Sequence, residues 1–261
     1  MATFSPTKED VDRYQHLRAQ MRILNRKMIK TIPKQAYDDI GDAIGIRRNG
    51  VIVLETEDES CVLTDACLFD WLDDGKNVVE HYWEKQAAGL EAEDGYLLKA
   101  CLGDEYRILT IESFVPGAGV YCRDLLKQGF LRRPEKLFLM DVGISQSPDM
   151  KYMALATRTI CFGEYWITTG AALPITAAEV MEDVQLLTVQ PQFADLPGSL
   201  LIVRACLAAG ASEQIQYEDP PESKEPVRKA KSAVEPTDLC RCRSGLMYKY
   251  CCGRVRATPG A

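Results

Sequence analysis

Large apolar side chains recur at helical spacing near the start of the chain. Intervals of three and four positions separate Tyr14, Leu17, Met21, Leu24 and Met28. Residues at these intervals lie on one stripe of a helix, so the spacing predicts a helix with one buried side. Thr7 and Asp10 have the spacing of a capping box at its beginning, and Pro33 marks its end.

The same kind of pattern predicts shorter elements up to residue 102. A second helix is expected over 34–44, with a stop at Gly45, and a strand over 50–55 follows an Asn-Gly turn signal. A polar loop is expected over 91–95. Three more helices are predicted over 65–72, 77–86 and 96–102.

The pattern changes to strands after about residue 105. Strands are predicted over 106–111, 120–126, 136–142, 154–162 and 165–169. Five strands in succession with short turns favour an antiparallel meander, curled or closed into a small barrel. Further helices are expected over 177–187 and between residues 198 and 209. The predicted fold class is therefore α+β, with a helical N-terminal part.

Composition divides the chain into three parts. The segment 217–236 is rich in Pro, Glu, Ser and Lys, and it cannot bury enough apolar surface to offset its ordering entropy. We therefore expect a helical and antiparallel β body over 1–216, a flexible linker over 217–236 and a short cysteine-containing module over 237–256.

Charge is distributed unevenly along the chain, whose net charge is −7. Residues 1–34 carry 8 basic and 3 acidic side chains, and residues 224–261 carry 9 and 3. The 35–223 segment carries 14 basic and 32 acidic side chains, a balance of −18. An acidic body is thus flanked by two basic ends, where partners attach or where the ends fold back on the body.

Four basic side chains form a second stripe on the first predicted helix: Arg18, Arg22, Arg26 and Lys30. Like charges at this spacing repel one another, so the row favours a nearby acidic surface. The favoured interpretation is that the acidic body of the same molecule supplies this surface. The alternative is a phosphate backbone.

Nothing in the sequence indicates export or a membrane span. No apolar run reaches the roughly 18 residues that a spanning helix needs. The first fifteen residues lack the apolar segment of a secretory signal. We therefore expect a cytoplasmic protein, in which clustered cysteines are metal ligands and scattered cysteines are small core residues.

The clustered cysteines are Cys240, Cys242, Cys251 and Cys252. Zinc in a structural site prefers four thiolate or imidazole ligands in a tetrahedron. Eight residues separate the second ligand from the third, which is enough for a hairpin turning at Gly245. The cluster therefore predicts a Zn²⁺ site. Disulfides, a redox pair and an iron–sulfur cluster fit less well, because of the reducing compartment, the spacing and the short segment.

The residues around this cluster resemble the SEC-C motif. That zinc knuckle ends the motor ATPase of bacterial preprotein translocation and many smaller bacterial proteins. Its pattern is matched by Cys240, Cys242, Ser244, Gly245, Tyr248, Lys249, Cys251, Cys252 and Gly253. The resemblance implies bound zinc and a partner such as an export chaperone or the ribosome. The central strands also look like the β region of uncharacterised bacterial proteins that end in this knuckle.

The chain departs from the motif at four positions. Arg241 and Arg243 stand where the family commonly has Pro and Gly. Leu246 and Met247 stand where it usually has two polar or basic residues. These departures leave the metal ligands intact but alter the surface that meets a partner.

Basic and aromatic side chains between the ligands are the predicted partner-binding residues: Arg241, Arg243, Tyr248, Lys249, Tyr250 and Arg254. A module this small cannot bury all of them. Exposed together, such groups suit an acidic protein groove or a nucleic-acid backbone with stacked bases.

The body shows little catalytic chemistry. A phosphate-loop motif is missing, so the chain is not the translocation motor. The histidines are His16 and His81. His81 lies between Glu80 and Glu84, a possible carboxylate pair that we interpret as a solvated acidic face.

The six remaining cysteines are expected to be structural. Cys61 and Cys67 would not share a face of a helix, which argues against a second metal site. Core positions are predicted for Cys101, Cys122, Cys161 and Cys206.

The favoured function is a zinc-binding, non-enzymatic adaptor whose C-terminal knuckle docks on a protein or ribosomal partner. One alternative is a nucleic-acid-binding protein that uses a small barrel and the basic ends. The other is a hydrolase of unrecognised type.

Overall fold

The computed structural model describes residues 4–127, 136–175 and 177–211. The helices within these residues are α1 (Lys8–Ile29), α2 (Lys34–Ile44), α3 (Glu57–Phe69), α4 (Val78–Gln86), α5 (Ala92–Cys101), α6 (Ala177–Thr188) and α7 (Gly198–Ala208). The strands are β1 (Arg47–Arg48), β2 (Val51–Ile52), β3 (Leu72–Asp73), β4 (Lys76–Asn77), β5 (Glu105–Val115), β6 (Gly119–Asp124), β7 (Lys136–Met140), β8 (Ala154–Phe162) and β9 (Tyr165–Ile175). The predicted linker and zinc knuckle lie outside the described residues.

Helix α1 forms as its sequence predicts. The Thr7 hydroxyl accepts a hydrogen bond from the Asp10 backbone N–H, and the Asp10 carboxylate accepts one from the Thr7 N–H at 2.9 Å. This capping box satisfies donors that the first helical turn leaves without partners. The buried residues of α1 are those of the predicted stripe: Tyr14, Leu17, Met21, Leu24 and Met28.

Two small hairpins connect the next helices. Helix α2 ends at Gly45, whose φ of 86° is the left-handed conformation that closes many helices. Asn49 and Gly50 also have positive φ and turn β1 into β2. The predicted strand over 50–55 therefore forms only at its beginning, as the second strand of this hairpin.

Two helices begin earlier than the periodicity indicates. Helix α3 begins at Glu57, capped by the Thr56 hydroxyl, and not at residue 65. Helix α5 begins at Ala92, within the predicted loop over 91–95. Both first turns are acidic, and negative charge there is stabilised by the partial positive charge of a helix N-terminus. What resembles a polar loop in sequence is therefore the start of each helix.

Strands β5 to β9 form a closed barrel with the order β5-β6-β7-β9-β8. Strands β5 and β6, β6 and β7, β5 and β8, and β8 and β9 pair antiparallel. Strands β7 and β9 pair parallel, and this contact closes the barrel. The barrel alternative is confirmed, whereas a simple meander is wrong because β8 returns to β5 and β9 lies between β7 and β8.

Alternating side chains of the barrel belong to two different cores. One apolar cluster fills the barrel and contains Leu109, Ile111, Val120, Cys122, Leu137, Leu139 and Leu155. Neighbouring positions such as Ile108, Phe138 and Ala156 join the larger core that the helices share. Helix α3 packs on β9, and α5 and α7 pack on β8, so the helices cover one side of the barrel.

Strands β6 and β7 approach each other closely at Gly119. A Cβ atom there would overlap the backbone carbonyl oxygen of Leu139 and lie 2.9 Å from the Met140 Cα. A glycine is therefore required for this register. Within the described ranges, no helix has the length and apolar content to cross a membrane.

Candidate functional site

The predicted metal ligands Cys240, Cys242, Cys251 and Cys252 lie outside the described residues. The same holds for the predicted partner-binding residues Arg241, Arg243, Tyr248, Lys249, Tyr250 and Arg254. The zinc site and its partner surface thus remain predictions. In the part of the chain that is described, no group of three or more His, Cys, Asp or Glu side chains is arranged to hold a metal ion.

The glutamates that flank His81 have structural roles. Glu80 accepts a hydrogen bond from the Asn77 N–H at 2.7 Å and completes the capping box of α4. Glu84 accepts one from the Lys76 ammonium at 2.6 Å. The His81 Nε2 lies 2.9 Å from the carbonyl oxygen of Asp73, beside a cavity of about 270 Å³. This arrangement fits a structural acidic face better than a carboxylate pair.

The cysteines of the body include four buried thiols. Burial raises the pKa of Cys67, Cys101 and Cys206 to about 12, and it raises that of Cys122 as well. Thiols of this kind are inert, because the thiolate is the nucleophile. Cys61 is exposed and Cys67 is buried, which agrees with the prediction that they do not share a face of a helix. Cys161 is exposed, and its predicted core position is wrong. It lies at the end of β8, next to the turn at Gly163.

A buried arginine joins the barrel to the helical layer. Arg158 of β8 is only 4% exposed, and its guanidinium forms ion pairs with three carboxylates. These belong to Asp65 of α3, Asp70 at the end of α3 and Asp104 before β5. The Ser199 hydroxyl of α7 donates to Asp70 at 2.6 Å, and the Thr169 hydroxyl of β9 donates to Asp65 at 2.6 Å. The Arg158 cluster therefore links α3, α7, β8, β9 and the segment before β5.

Burial dominates the electrostatics of this Arg158 cluster. It raises the pKa of Asp70 to about 6, although Arg158 and the Ser199 hydroxyl act in the opposite direction. The pKa of Asp104 is raised for the same reason. Burial acts to lower the pKa of Arg158, but the three carboxylates outweigh it and raise that pKa. The guanidinium therefore stays charged, and it stacks over the Phe69 ring at 4.8 Å.

A second buried guanidinium belongs to a barrel strand. Arg107 of β5 is 1% exposed, pairs with the buried Asp124 carboxylate and donates to the Thr159 hydroxyl at 3.0 Å. Its guanidinium lies 4.1 Å from the centre of the Trp166 ring. These contacts satisfy a charge that would otherwise be costly to bury.

Sequence reasoning missed both buried arginines. The available signal was a single basic residue inside an apolar strand, as in Ala154–Phe162. Such a residue is rarely buried without a carboxylate partner. The partners could not be named from sequence, because the nearest in sequence, Asp104, is 54 positions from Arg158.

Within the described part of the chain, one side chain of the basic α1 stripe forms a hydrogen bond with another element. Arg18 turns inward and donates to the Thr168 carbonyl oxygen at 2.6 Å. Arg22, Arg26 and Lys30 are exposed, and no described residue forms an ion pair or hydrogen bond with their side chains. The favoured interpretation of the stripe thus stays a prediction for these three residues, which we call the α1 cations.

A cleft of about 220 Å³ opens between α1, α3 and β9. Its polar lining comes from Asn25 of α1, from Ser60 and Thr64 of α3 and from Thr169 of β9. Its apolar walls include Ile29, Leu68 and Phe69. Asp65 also lines the cleft, and Arg158 neutralises its carboxylate. The cleft has groups that can bind a ligand but no activated nucleophile, because burial and nearby carboxylates raise the pKa of Cys61.

The fold and these charged clusters define an α+β protein in which helices cover one side of a closed five-stranded barrel. The chain belongs to a family of unknown function, DUF7986, whose match covers residues 8–180. No curated protein and no solved structure shows significant similarity to it. The family match ends within α6 and therefore concerns the body, not the cysteine cluster.

Proposed function

We propose that the protein is a zinc-binding, non-enzymatic adaptor whose C-terminal knuckle docks on a protein or ribosomal partner. The observation that carries this proposal is the spacing of four cysteines at positions 240, 242, 251 and 252. Four thiolates supply a complete tetrahedral shell, and a segment with almost no core folds only when the metal binds. The proposal includes a reducing, cytoplasmic compartment, because zinc requires these cysteines as thiolates.

The body supports this proposal as a rigid platform. Its buried charges at Arg107 and Arg158 are neutralised by internal carboxylates. Its buried thiols have raised pKa values, and the glutamates beside His81 stabilise α4 and the preceding hairpin. These groups hold elements together, which is the task of a scaffold that carries a binding module.

The metal content of the purified full-length chain tests the proposal. Elemental analysis should find one zinc ion per chain, because the proposal provides one four-ligand site. Cys242→Ser should lose most of this zinc. Cys161→Ser is the matched control and should keep it, since Cys161 is an exposed cysteine of the barrel. Full zinc in Cys242→Ser would show that the ligand assignment is wrong.

Partner capture tests the adaptor role directly. Intact chain and the variants Tyr248→Ala and Arg243→Glu are compared in pull-downs from bacterial lysate and in co-sedimentation with ribosomes. Both variants should keep zinc and capture less of the partner. The effect of the charge reversal on capture should depend more on salt concentration than that of the aromatic deletion. Retention of every partner by both variants would make the knuckle a structural terminus only.

A further inference from the structure

The α1 cations are arranged as a regular row. Arg22, Arg26 and Lys30 follow one another at intervals of four residues, which is about 6 Å along a helix. The row has no acidic partner among the described residues, although like charges at this spacing repel one another. A row of this kind is stabilised when an external anion binds, and a regularly charged polymer fits it better than a single ion.

The cleft borders this row on α1. Asn25 and Ile29 line the cleft, and each is adjacent in sequence to one of the α1 cations. With a volume of about 220 Å³, the cleft has room for a planar ring. The amide of Asn25 and the hydroxyl of Ser60 can exchange hydrogen bonds with a base edge, and the Thr169 hydroxyl, which donates to Asp65, can accept one. Ile29 and Phe69 provide apolar surface for its face.

We propose that the α1 cations and the cleft together bind a single-stranded nucleic acid. Successive phosphates lie on Arg22, Arg26 and Lys30, and one unpaired base enters the cleft. Arginine suits this role because its planar guanidinium can bind two phosphate oxygens at once. An acidic protein surface would also meet the cations, but charge alone would leave the largely apolar, ring-sized cleft beside them unused. This site is separate from the zinc knuckle and does not depend on the proposed adaptor role.

Fluorescence anisotropy tests whether the α1 cations bind nucleic acid. The probes are labelled 12-nucleotide RNA and DNA of the same mixed sequence. The full-length chain is compared with Arg22→Glu/Arg26→Glu at several salt concentrations. The variant should bind about tenfold more weakly at low salt, as expected when two exposed charge contacts are lost and reversed. The slope of log K against log salt should become shallower by about 1.4, because each phosphate contact to a single strand contributes about 0.7.

The matched control is Lys85→Glu/Lys99→Glu, which changes net charge equally at exposed positions of α4 and α5. This control should keep the wild-type slope. If the two double variants weaken binding equally, only net charge matters and the site is disproved. It is also disproved if polyglutamate competes as well as RNA at equal charge. Binding of either RNA or DNA supports the site, and the tighter of the two identifies the preferred sugar.

A second pair of variants tests the cleft. Thr64→Phe fills it, whereas Thr64→Val removes the hydroxyl at nearly constant size. Thr64→Phe should weaken binding several-fold without changing the salt slope, since it removes a base contact and no phosphate contact. Thr64→Val should bind like wild type, because the Thr64 hydroxyl already donates to the Ser60 carbonyl oxygen at 2.8 Å. Unchanged binding by a folded Thr64→Phe would exclude the cleft from the site. Retained zinc in every variant keeps this test distinct from that of the knuckle.

Discussion

Arg158 illustrates how much of this fold depends on a single side chain. Its guanidinium contacts carboxylates from α3, from the end of α3 and from the segment before β5, and these contacts reach α7 through Ser199. Replacement of a buried ion cluster by apolar residues is often tolerated, whereas removal of one partner leaves uncompensated charge. The aspartates therefore depend on Arg158 more than Arg158 depends on any one of them.

The raised pKa of Asp70 gives a pH dependence of known sign. The folded protein holds this proton up to about pH 6, whereas the unfolded chain releases it near the ordinary value of 3.8. Between these values the folded state binds more protons, so the free energy of unfolding falls as pH rises. The shift corresponds to about 3 kcal/mol. The side chain in Asp70→Asn is always neutral, so the free energy of unfolding of this variant should not fall in this way.

Thermal melts between pH 4 and pH 7 measure this effect. The melting temperature of Asp70→Asn relative to wild type should rise by several degrees over this range. Asp73→Asn, at an exposed position in a hairpin, is the control and should follow wild type throughout. A constant difference between Asp70→Asn and wild type would contradict the raised pKa of Asp70.

At the scale of elements, a single glycine decides whether β6 and β7 can pair. Gly119→Ala places a Cβ atom against the Leu139 carbonyl and the Met140 backbone, so the strands must separate or shift register. We expect a loss of about 2 kcal/mol or more, in the range of overpacking and backbone strain. The free energy of unfolding in urea measures it.

Gly95→Ala is the matched control for that substitution. Gly95 lies inside α5, and a Cβ atom there would meet nothing within 4 Å. Alanine should therefore stabilise the helix by roughly 0.5–1 kcal/mol. Equal effects of the two alanines would show that steric overlap is not what requires Gly119.

Elements with strong local signals could be predicted from sequence, and those that depend on distant contacts could not. The capping box of Thr7 and the stop at Gly45 fixed helix ends, because both act within a few residues. The predicted strand over 165–169 continues as β9 to Ile175, since pairing with β8 extends it through Gly170. The parallel contact between Leu139 and Trp166 has no local signal at all.

For the whole molecule, the body should be stable without the C-terminal segment. One apolar core is shared by the helices and the barrel, a second fills the barrel, and both lie within residues 4–211. A chain that ends at residue 216 should therefore melt at nearly the temperature of the full chain, and limited proteolysis should cut first within 217–236. A large fall in melting temperature on truncation would contradict the domain division predicted from composition.

The candidate sites differ in how much of each could be predicted from sequence alone. The cysteine spacing is a local pattern, so the zinc prediction needs no fold. The cleft combines Asn25, Thr64 and Thr169, which only the packing of α1 and α3 on β9 brings together. The α1 cations were recognisable as a stripe, but their exposure depends on where the acidic body lies.

The order of strands in the barrel also means that some strands are synthesised well before their pairing partners. Strands β5, β6 and β7 are complete at Met140, but β8 and β9 end only at Ile175. At 5–20 residues per second, the nascent chain waits roughly 2–7 s for these strands. Until then the outer edges of β5 and β7 are unpaired, and open edges invite pairing with other chains. Early contact of this nascent sheet with a chaperone would shield both edges until β8 pairs with β5 and β9 pairs with β7.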